Sequence, residues 1–247
     1  IIKNSIKAQQ KLLSGFWGNK KTNKEKLKEA MDPKHFAISL SGEPLIYPKI
    51  NSLNRELHKL GKTTFVVTNG LLPNRLKNIE PPTQLYLSLD APNELLFKKI
   101  DQPQIKNAWT KLNNSLKILK DLSKKTRTVI RITLIKGINM VNPEQYAELI
   151  KKAEPDFVEV KAYMYVGFSR NRLDISNMPR HEEVKQFSQG FKEGCEWIKL
   201  NTPKDSLIYV IYGHHAAYWC DRKATANPPD QEEIALTNND TAYEHLK

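Results

Sequence analysis

Short apolar stretches alternate along this chain with stretches whose apolar residues recur at helical spacing. The short stretches are rich in β-branched and aromatic side chains, and they predict strands at residues 36–40, 64–67, 84–89, 128–135, 157–163 and 207–211. Helices are predicted over residues 1–16, 47–60 and 105–122, and from Pro143 onward. Because parallel strands need crossover connections, this alternation predicts an α/β fold with a parallel sheet.

The ends of the predicted elements carry specific signals. Gly61 directly follows one helical stretch as a C-terminal cap, and Asn142 precedes Pro143 as an N-cap. A basic turn is predicted over residues 18–24. Periodicity is lost from residue 224, so the chain is predicted to form one domain over residues 1–223 and an irregular tail over residues 224–247.

The charge of the chain indicates what kind of partner it binds. The sequence carries 39 Lys and Arg against 27 Asp and Glu, a formal net charge of +12. This excess favours a polyanion such as RNA, because basic side chains displace counterions from phosphates. The two cysteines, Cys195 and Cys220, argue against a disulfide framework and for the cytoplasm. No apolar run of about 18 residues is present, so no membrane span is predicted.

Polar residues follow the first three predicted strands. In parallel α/β proteins, ligands bind at the carboxyl ends of the strands. Gly42 permits close backbone approach, and Glu43 offers a carboxylate to an ammonium or hydroxyl group. Each set alone is typical of a capped loop, but three sets at neighbouring strand ends suit one ligand with amine, carboxylate and ribose groups. The candidate residues are Ser41, Gly42, Glu43, Asn69, Ser88 and Asp90.

Charged residues also lie within the fourth predicted strand. Arg131 and Thr133 alternate, so their side chains share one face of the sheet. A buried arginine needs an anion, which is either a ligand carboxylate or an internal partner such as Glu43 or Asp90.

The fifth predicted strand places Glu159, Lys161 and Tyr163 on one face. Glu159 and Lys161 either form an ion pair near the solvent edge or belong to a site. The loop that follows contains Arg170 and Arg172, which either contact phosphates or form a solvated basic turn.

The motifs at the strand ends also resemble those of a known family. In chain order they read AISLSGEPLIYP, TTFVVTNGLLP, LYLSLDAP, RITLIKGIN, EVKAYMYVGFSRNRL and MPRHEEV. Their order and spacing resemble the radical S-adenosylmethionine (radical SAM) enzymes of tRNA wyosine synthesis, of the archaeal 4-demethylwyosine synthase type. The resemblance covers roughly residues 1–191.

This resemblance implies a fold, a reaction and cofactors. The fold is a partial, TIM-like (β/α)6 barrel that binds SAM on a 4Fe-4S cluster, with a second cluster left open. The implied enzyme is a lyase that condenses N1-methylguanosine-37 of tRNA-Phe with a two-carbon unit from pyruvate to form 4-demethylwyosine. An external electron donor and a monomeric state are further expectations.

The same resemblance assigns roles to residues. The first three residues of the SAM set are expected to meet the methionine amino group, and the last one its carboxylate. The SAM set is Ser41, Gly42, Glu43, Asn69, Ser88, Asp90 and Arg131. The residues expected to face pyruvate or the anticodon loop are Lys161, Tyr163, Arg170 and Arg172.

One feature of the family has no counterpart in this sequence. The Cys-x3-Cys-x2-Cys motif that ligates the cluster is absent, and neither Cys195 nor Cys220 matches it. That motif, and the lysine that attacks pyruvate, are therefore expected upstream of Ile1. His214, His215 and Cys220 lie close together, but their spacing is irregular and no fourth ligand is evident, so we interpret them as a strand end.

Two other functions stay open. A cluster-free basic α/β module that only binds RNA would show salt-sensitive tRNA affinity without cleavage of SAM. A radical SAM enzyme with another substrate would cleave SAM but would not need a basic surface.

Overall fold

Five parallel strands pair in sequence order to form the central sheet. In the computed structural model they are β1 (His35–Ile38), β2 (Thr63–Thr68), β3 (Gln84–Ser88), β4 (Arg127–Leu134) and β5 (Phe157–Ala162). The structure describes residues 1–39, 42–189, 207–209 and 223–225. Strands β6 (Leu207–Tyr209) and β7 (Lys223–Thr225) pair with each other in parallel. The predicted α/β fold is confirmed, and the five-stranded sheet is open rather than closed into a barrel. The predicted tail lies outside the described residues from residue 226 onward and stays a prediction.

Helices precede and connect the strands. They are α1 (Ile2–Leu13), α2 (Lys24–Met31), α3 (Ile50–Lys59), α4 (Pro73–Lys77), α5 (Glu94–Asp101), α6 (Ala108–Leu122), α7 (Pro143–Ala153) and α8 (His181–Gln189). Short 3-10 turns lie at Ser14–Gly18, Pro44–Ile46, Gly167–Asn171 and Ile175–Asn177. None of the described helices has the length and apolarity that a membrane crossing requires.

The helix-end predictions hold in part. Gly61 has a φ of 66°, and its N–H donates to His58 O while the Lys62 N–H donates to Leu57 O, so the predicted C-cap is confirmed. Asn142 occupies the N-cap of α7, but its side chain makes no capping hydrogen bond. Its backbone is left-handed, whereas a side-chain cap needs an extended N-cap residue.

The predicted basic turn at residues 18–24 is shorter than expected. Helix α2 already begins at Lys24, the last residue of that range. Asn23 caps the helix, because its side chain accepts hydrogen bonds from the N–H groups of Glu25 and Lys26.

The central sheet has one apolar face and one charged face. Helices α4, α6 and α7 cover the apolar face, whose buried residues are Val66, Leu85, Leu87, Ile130, Ile132, Val158 and Val160. On the other face, Arg131 lies opposite both Ser88 and Glu159, and Thr133 lies opposite Lys161. Paired residues of neighbouring strands point to the same side of a sheet. In a (β/α) barrel, that side is the interior.

Candidate functional site

Glu43 joins the carboxyl ends of β1 and β2. One carboxylate oxygen, Oε1, accepts hydrogen bonds from Leu45 N at 3.0 Å and from Thr68 Oγ1 at 2.7 Å. The other, Oε2, accepts from Asn69 N at 2.8 Å. Gly42, with a φ of 76°, precedes it, and Ser41 lies outside the described residues. Two of the three predicted strand-end sets are therefore in direct contact through Glu43.

Asp90 joins the ends of β3 and β4. Its Oδ1 accepts from Thr133 N at 2.9 Å, and Asn139 Nδ2 donates to both Asp90 O and Thr133 O at 2.8 Å. Burial raises the pKa of the Asp90 carboxyl, while the Thr133 hydrogen bond and the charges of Lys161 and Arg131 oppose that rise. Asp90 thus pins the loop after β3 to β4 rather than capping a helix.

The two pairs of strand ends are adjacent. Thr68 lies opposite Leu87 in the β2 and β3 register, so the next residues, Asn69 and Ser88, leave neighbouring strands side by side. Asp90 follows two residues after Ser88, on the same side of the chain. Four of the predicted positions, from Glu43 to Asp90, therefore line one edge of the sheet.

The internal partner of Arg131 is Glu159, which the sequence did not suggest. Arg131 Nη2 and Nε lie 3.0 Å and 3.1 Å from Glu159 Oε2. The guanidinium carbon is 4.5 Å from the Tyr86 ring centroid and 5.6 Å from that of Phe65. Of the two alternatives left open for Arg131, the internal partner is the one observed, but it is Glu159 rather than Glu43 or Asp90, because the β4 and β5 register sets Arg131 directly against Glu159.

Glu159 itself is a fully buried carboxyl with unmet hydrogen-bonding capacity. Its Oε1 has no hydrogen-bond partner within the described part of the chain. Burial raises the pKa of Glu159, and the Arg131 charge and hydrogen bond oppose that rise. A buried acceptor without a hydrogen-bond partner lowers the free energy of unfolding unless another donor satisfies it.

Lys161 lies on the same charged face and is partly buried. Within the described ranges, no carboxylate oxygen lies within 4.0 Å of its Nζ, so the alternative of an ion pair between Glu159 and Lys161 was wrong. Burial lowers the pKa of the Lys161 ammonium, as does Arg131, while Glu159 and Asp90 raise it. Lys161 is therefore a cation of this face that forms no salt bridge among the described residues.

The other residues of the second predicted set lie after β5. Tyr163 is 8% exposed, and its hydroxyl donates to Ser169 Oγ at 2.9 Å, which makes it an anchor of the following turn. Arg170 and Arg172 are exposed on that turn. Arg170 lies over the Tyr165 ring, with its guanidinium carbon 5.2 Å from the ring centroid.

Two other kinds of site can be judged on the described residues. No group of three His, Cys, Asp or Glu side chains among them is placed to hold a metal ion. His214, His215, Cys195 and Cys220 lie outside them. A crevice of about 400 Å³ lies between α5 and the start of α6, beside Phe97 and Trp109, and contains none of the predicted site residues.

Gly70, just after β2, is expected to tolerate no larger side chain. It has a φ of 71°, and a Cβ there would lie 3.0 Å from Leu112 Cδ1 and 3.2 Å from Leu87 Cδ1. Gly70→Ala is expected to lower the free energy of unfolding by about 2–4 kcal/mol, from left-handed strain and overpacking together. Gly61→Ala is the matched control, because Gly61 shares the left-handed backbone but has nothing within 4 Å. Urea unfolding measures both, and equal losses would contradict the packing argument.

The sequence analysis did not assign the roles of several residues that build this edge. Thr68 and Thr133 hold Glu43 and Asp90, and Phe65 and Tyr86 flank Arg131. Thr68 directly precedes Asn69, which is a usable signal for a strand-end role. Nothing in the local sequence indicates that Asn139 bridges two loops.

This architecture, an open parallel α/β sheet with polar strand ends and a charged inner face, defines a ligand-binding (β/α) protein of the partial-barrel type. Residues 18–150 match the family model of the radical SAM superfamily, so the chain belongs to that superfamily. Residues 152–211 match a second family, described as wyosine base formation. The predicted resemblance is confirmed by these matches.

Individual relatives agree with these families. The S-adenosyl-L-methionine-dependent tRNA 4-demethylwyosine synthase of Pyrococcus abyssi is 51% identical over 193 residues, 76% of this chain and 56% of the relative. The human protein of the same name, TYW1, is 42% identical over 188 residues, 76% of this chain and 25% of the relative. This chain therefore spans about half the length of the Pyrococcus relative.

Solved structures show the same likeness. A structure described as TYW1 with a lysine-pyruvate adduct bound has a TM-score of 0.70 and 38% identity, over 77% of this chain and 61% of the other. The crystal structure of archaeal TYW1 has a TM-score of 0.64 and 35% identity, over 78% of this chain and 61% of the other.

Proposed function

We propose that this protein is a radical SAM enzyme that builds the wyosine base on tRNA. The reaction condenses N1-methylguanosine-37 of tRNA-Phe with a two-carbon unit from pyruvate to form 4-demethylwyosine, which makes the enzyme a carbon-carbon lyase. The observation that carries the proposal is the row of polar groups along the strand ends, from Glu43 to Lys161, in a chain that matches the wyosine base formation family. The names of the relatives support the choice of tRNA as substrate.

The strand-end residues fit SAM as a ligand. Glu43 Oε2 accepts a single hydrogen bond from within the described residues, so it keeps capacity for the methionine ammonium. Asp90 Oδ1 is engaged by Thr133 N, and the other oxygen, Oδ2, suits a ribose hydroxyl. Ser88 and Asn69 lie between them along the edge. Arg131 was expected to hold the ligand carboxylate, but it is neutralised by Glu159, so we assign that role to Lys161.

The described residues do not fit a 4Fe-4S cluster. No set of three side chains among them can ligate it, and both cysteines lie outside the described part. No step is therefore assigned to a cluster on these residues. SAM supplies the radical chemistry when it is bound and reduced, and this chain's part is to orient the ligand and exclude water around it.

Pyruvate is supported as the carbon source by one relative. The related TYW1 structure carries a lysine-pyruvate adduct, and pyruvate has a carboxylate that needs a cation. An external electron donor and the anticodon loop of tRNA-Phe complete the proposed set of partners. The net charge of +12 supports the polyanionic substrate.

Isotope labelling tests this function. Protein expressed from its complete reading frame, reconstituted anaerobically with iron and sulfide, is incubated with SAM, a reductant, 13C-labelled pyruvate and tRNA-Phe that carries N1-methylguanosine-37. We expect mass spectrometry of the digested tRNA to show a labelled tricyclic nucleoside, and none with unmethylated tRNA. SAM cleavage with unchanged tRNA would contradict the proposal and favour another substrate.

A second candidate is a basic α/β module that binds RNA without a cluster. It is favoured by one observation, that the chain contains two cysteines and the described residues contain no metal-binding group. In the labelling experiment, this candidate predicts intact SAM and unlabelled tRNA, and a separate binding titration is expected to show salt-sensitive tRNA affinity.

A further inference from the structure

The turn after β5 holds an aromatic ring out in water. Phe168 is 88% exposed, and it is the most exposed of the large hydrophobic side chains in the described ranges. Val166 and Met164 beside it are 55% and 45% exposed. A single exposed apolar side chain is ordinary on a protein surface, so its meaning depends on how it is held and what surrounds it.

Phe168 is held by a built turn rather than a loose loop. The Tyr163 hydroxyl donates to Ser169 Oγ at 2.9 Å, and Ser169 Oγ donates to Val166 O at 2.5 Å. The N–H groups of Arg172 and Leu173 both donate to Ser169 O, at 3.0 Å and 2.9 Å. Because Tyr163 directly follows β5 and is nearly buried, the turn is fixed to the same sheet edge as Lys161. The backbone that carries Phe168 is therefore fixed at the carboxyl end of β5.

The two arginines that follow Phe168 on this turn form no ion pair with a described residue. Arg170 and Arg172 are exposed, and no carboxylate of the described residues lies within 4.0 Å of either guanidinium. Arg170 is steadied by the Tyr165 ring and by its Nε donating to Tyr165 O at 3.2 Å. An exposed aromatic ring on the same turn as exposed arginines is an arrangement with which proteins bind single-stranded nucleic acid, where bases stack on the ring and arginines contact phosphates.

We infer that Phe168 is a stacking platform for an unpaired base of an RNA loop, with Arg170 and Arg172 on the flanking phosphates. The inference rests on the proposed tRNA function and adds how the loop is presented to the sheet edge. A base inside a duplex has no free face, so Phe168 selects unpaired nucleotides. The chain's formal net charge of +12 favours a polyanion as the occupant, and RNA offers unpaired bases and phosphates together.

Fluorescence titration of the protein with an RNA hairpin that carries 2-aminopurine in its loop tests the inference. Phe168→Ala is expected to weaken hairpin binding about ten-fold and to abolish the quenching of 2-aminopurine that stacking causes, with the salt dependence unchanged. Phe168→Trp is expected to restore both. Arg172→Ala is expected instead to reduce the slope of log affinity against log salt by about one.

Leu60→Ala is the matched control. Leu60 is 57% exposed and lies at the end of α3, just before β2 begins, which places it at the opposite edge of the sheet. Its replacement is expected to leave hairpin affinity and quenching unchanged.

The outcomes separate this inference from the function on which it rests. If the wild-type protein fails to bind the hairpin, the proposed function is contradicted and the platform with it. If wild type binds and Phe168→Ala keeps affinity and quenching, the platform alone is overturned. An equal loss of affinity for a fully paired duplex of the same length would also overturn it, since that loss cannot come from stacking on an unpaired base.

Discussion

Arg131→Met is expected to lower the free energy of unfolding by about 3–5 kcal/mol, the cost of leaving a buried charge without its partner. Glu159 is 0% exposed, and its Oε1 already lacks a hydrogen-bond partner within the described residues. Removal of Arg131 therefore leaves the Glu159 carboxylate buried without its salt-bridge partner. Urea unfolding at neutral pH measures the loss. A loss below about 1 kcal/mol, the usual value of an exposed pair, would contradict the buried-pair account.

The two partners of this pair are not equivalent. Arg131 is 17% exposed and keeps its contacts with the Tyr86 and Phe65 rings when Glu159 is removed, so Glu159→Leu is expected to cost less than Arg131→Met. The double variant is expected to recover most of the loss, because no buried charge remains. Arg55→Met is the control, since the Arg55 to Glu80 pair has the same chemistry at 3.2 Å but lies at the surface.

The Arg131→Met variant also has a pH signature. Burial raises the pKa of Glu159, and removal of Arg131 takes away the larger of the two charges that oppose this rise and leaves that of Lys161. A carboxyl with a raised folded pKa favours folding at low pH and disfavours it as pH rises through that pKa. The stability deficit of the variant relative to wild type is therefore expected to be larger at pH 8 than at pH 5, and a deficit that grows on acidification would contradict this assignment.

Glu43→Ala is expected to weaken SAM binding about 10- to 100-fold, the value of a charge-assisted hydrogen bond. The alanine variant loses the acceptor for the ligand ammonium, and it also frees the 42–45 loop from Thr68 and Asn69. Isothermal titration calorimetry with SAM measures the change. Unchanged affinity would remove Glu43 from the site.

A conservative variant separates the two effects of this change. Glu43→Gln keeps one oxygen for the loop but offers an amide nitrogen where the carboxylate accepts, so we expect an intermediate affinity. Glu56→Ala, which removes an exposed carboxylate of α3 paired with Lys59, is expected to leave SAM affinity unchanged.

The strands of this fold were predictable because their composition and length carry the signal. The run at residues 84–89 corresponds to β3 (Gln84–Ser88), and the run at residues 128–135 corresponds to β4 (Arg127–Leu134). These strands bury one face against helices and have apolar residues at the positions that face the core. The C-cap at Gly61 was equally predictable, because a left-handed backbone at a helix end strongly favours glycine.

Two short helices were missed for a different reason. Helices α2 and α5 each have eight residues, too few for an apolar stripe to establish helical spacing. The N-caps of both helices could have been predicted, because asparagine is a preferred N-cap residue. Asn23 and Asn93 accept hydrogen bonds from N–H groups in the first turn. Attention to such caps is what would have located them.

The charge pairing at the site was beyond local sequence reasoning. Arg131 and Glu159 are neighbours only because β4 and β5 pair in a register that no short-range pattern specifies. Glu159 and Lys161 are two residues apart on one strand, so their Cα atoms are about 7 Å apart and their side chains project side by side. The Glu159 carboxylate pairs with Arg131 on the neighbouring strand instead. The sequence therefore named these charged residues as candidates, but the pairing of Arg131 with Glu159 required the fold.

Amide hydrogen exchange of the wild-type protein, with and without saturating SAM, tests most directly whether the ends of consecutive strands hold one ligand. We predict that peptides covering residues 42–46, 68–72 and 88–91 become protected together at the same SAM concentration, while the crevice at residues 102–109 does not change. Protection confined to that crevice, or unaltered exchange at all three strand ends, would contradict the account.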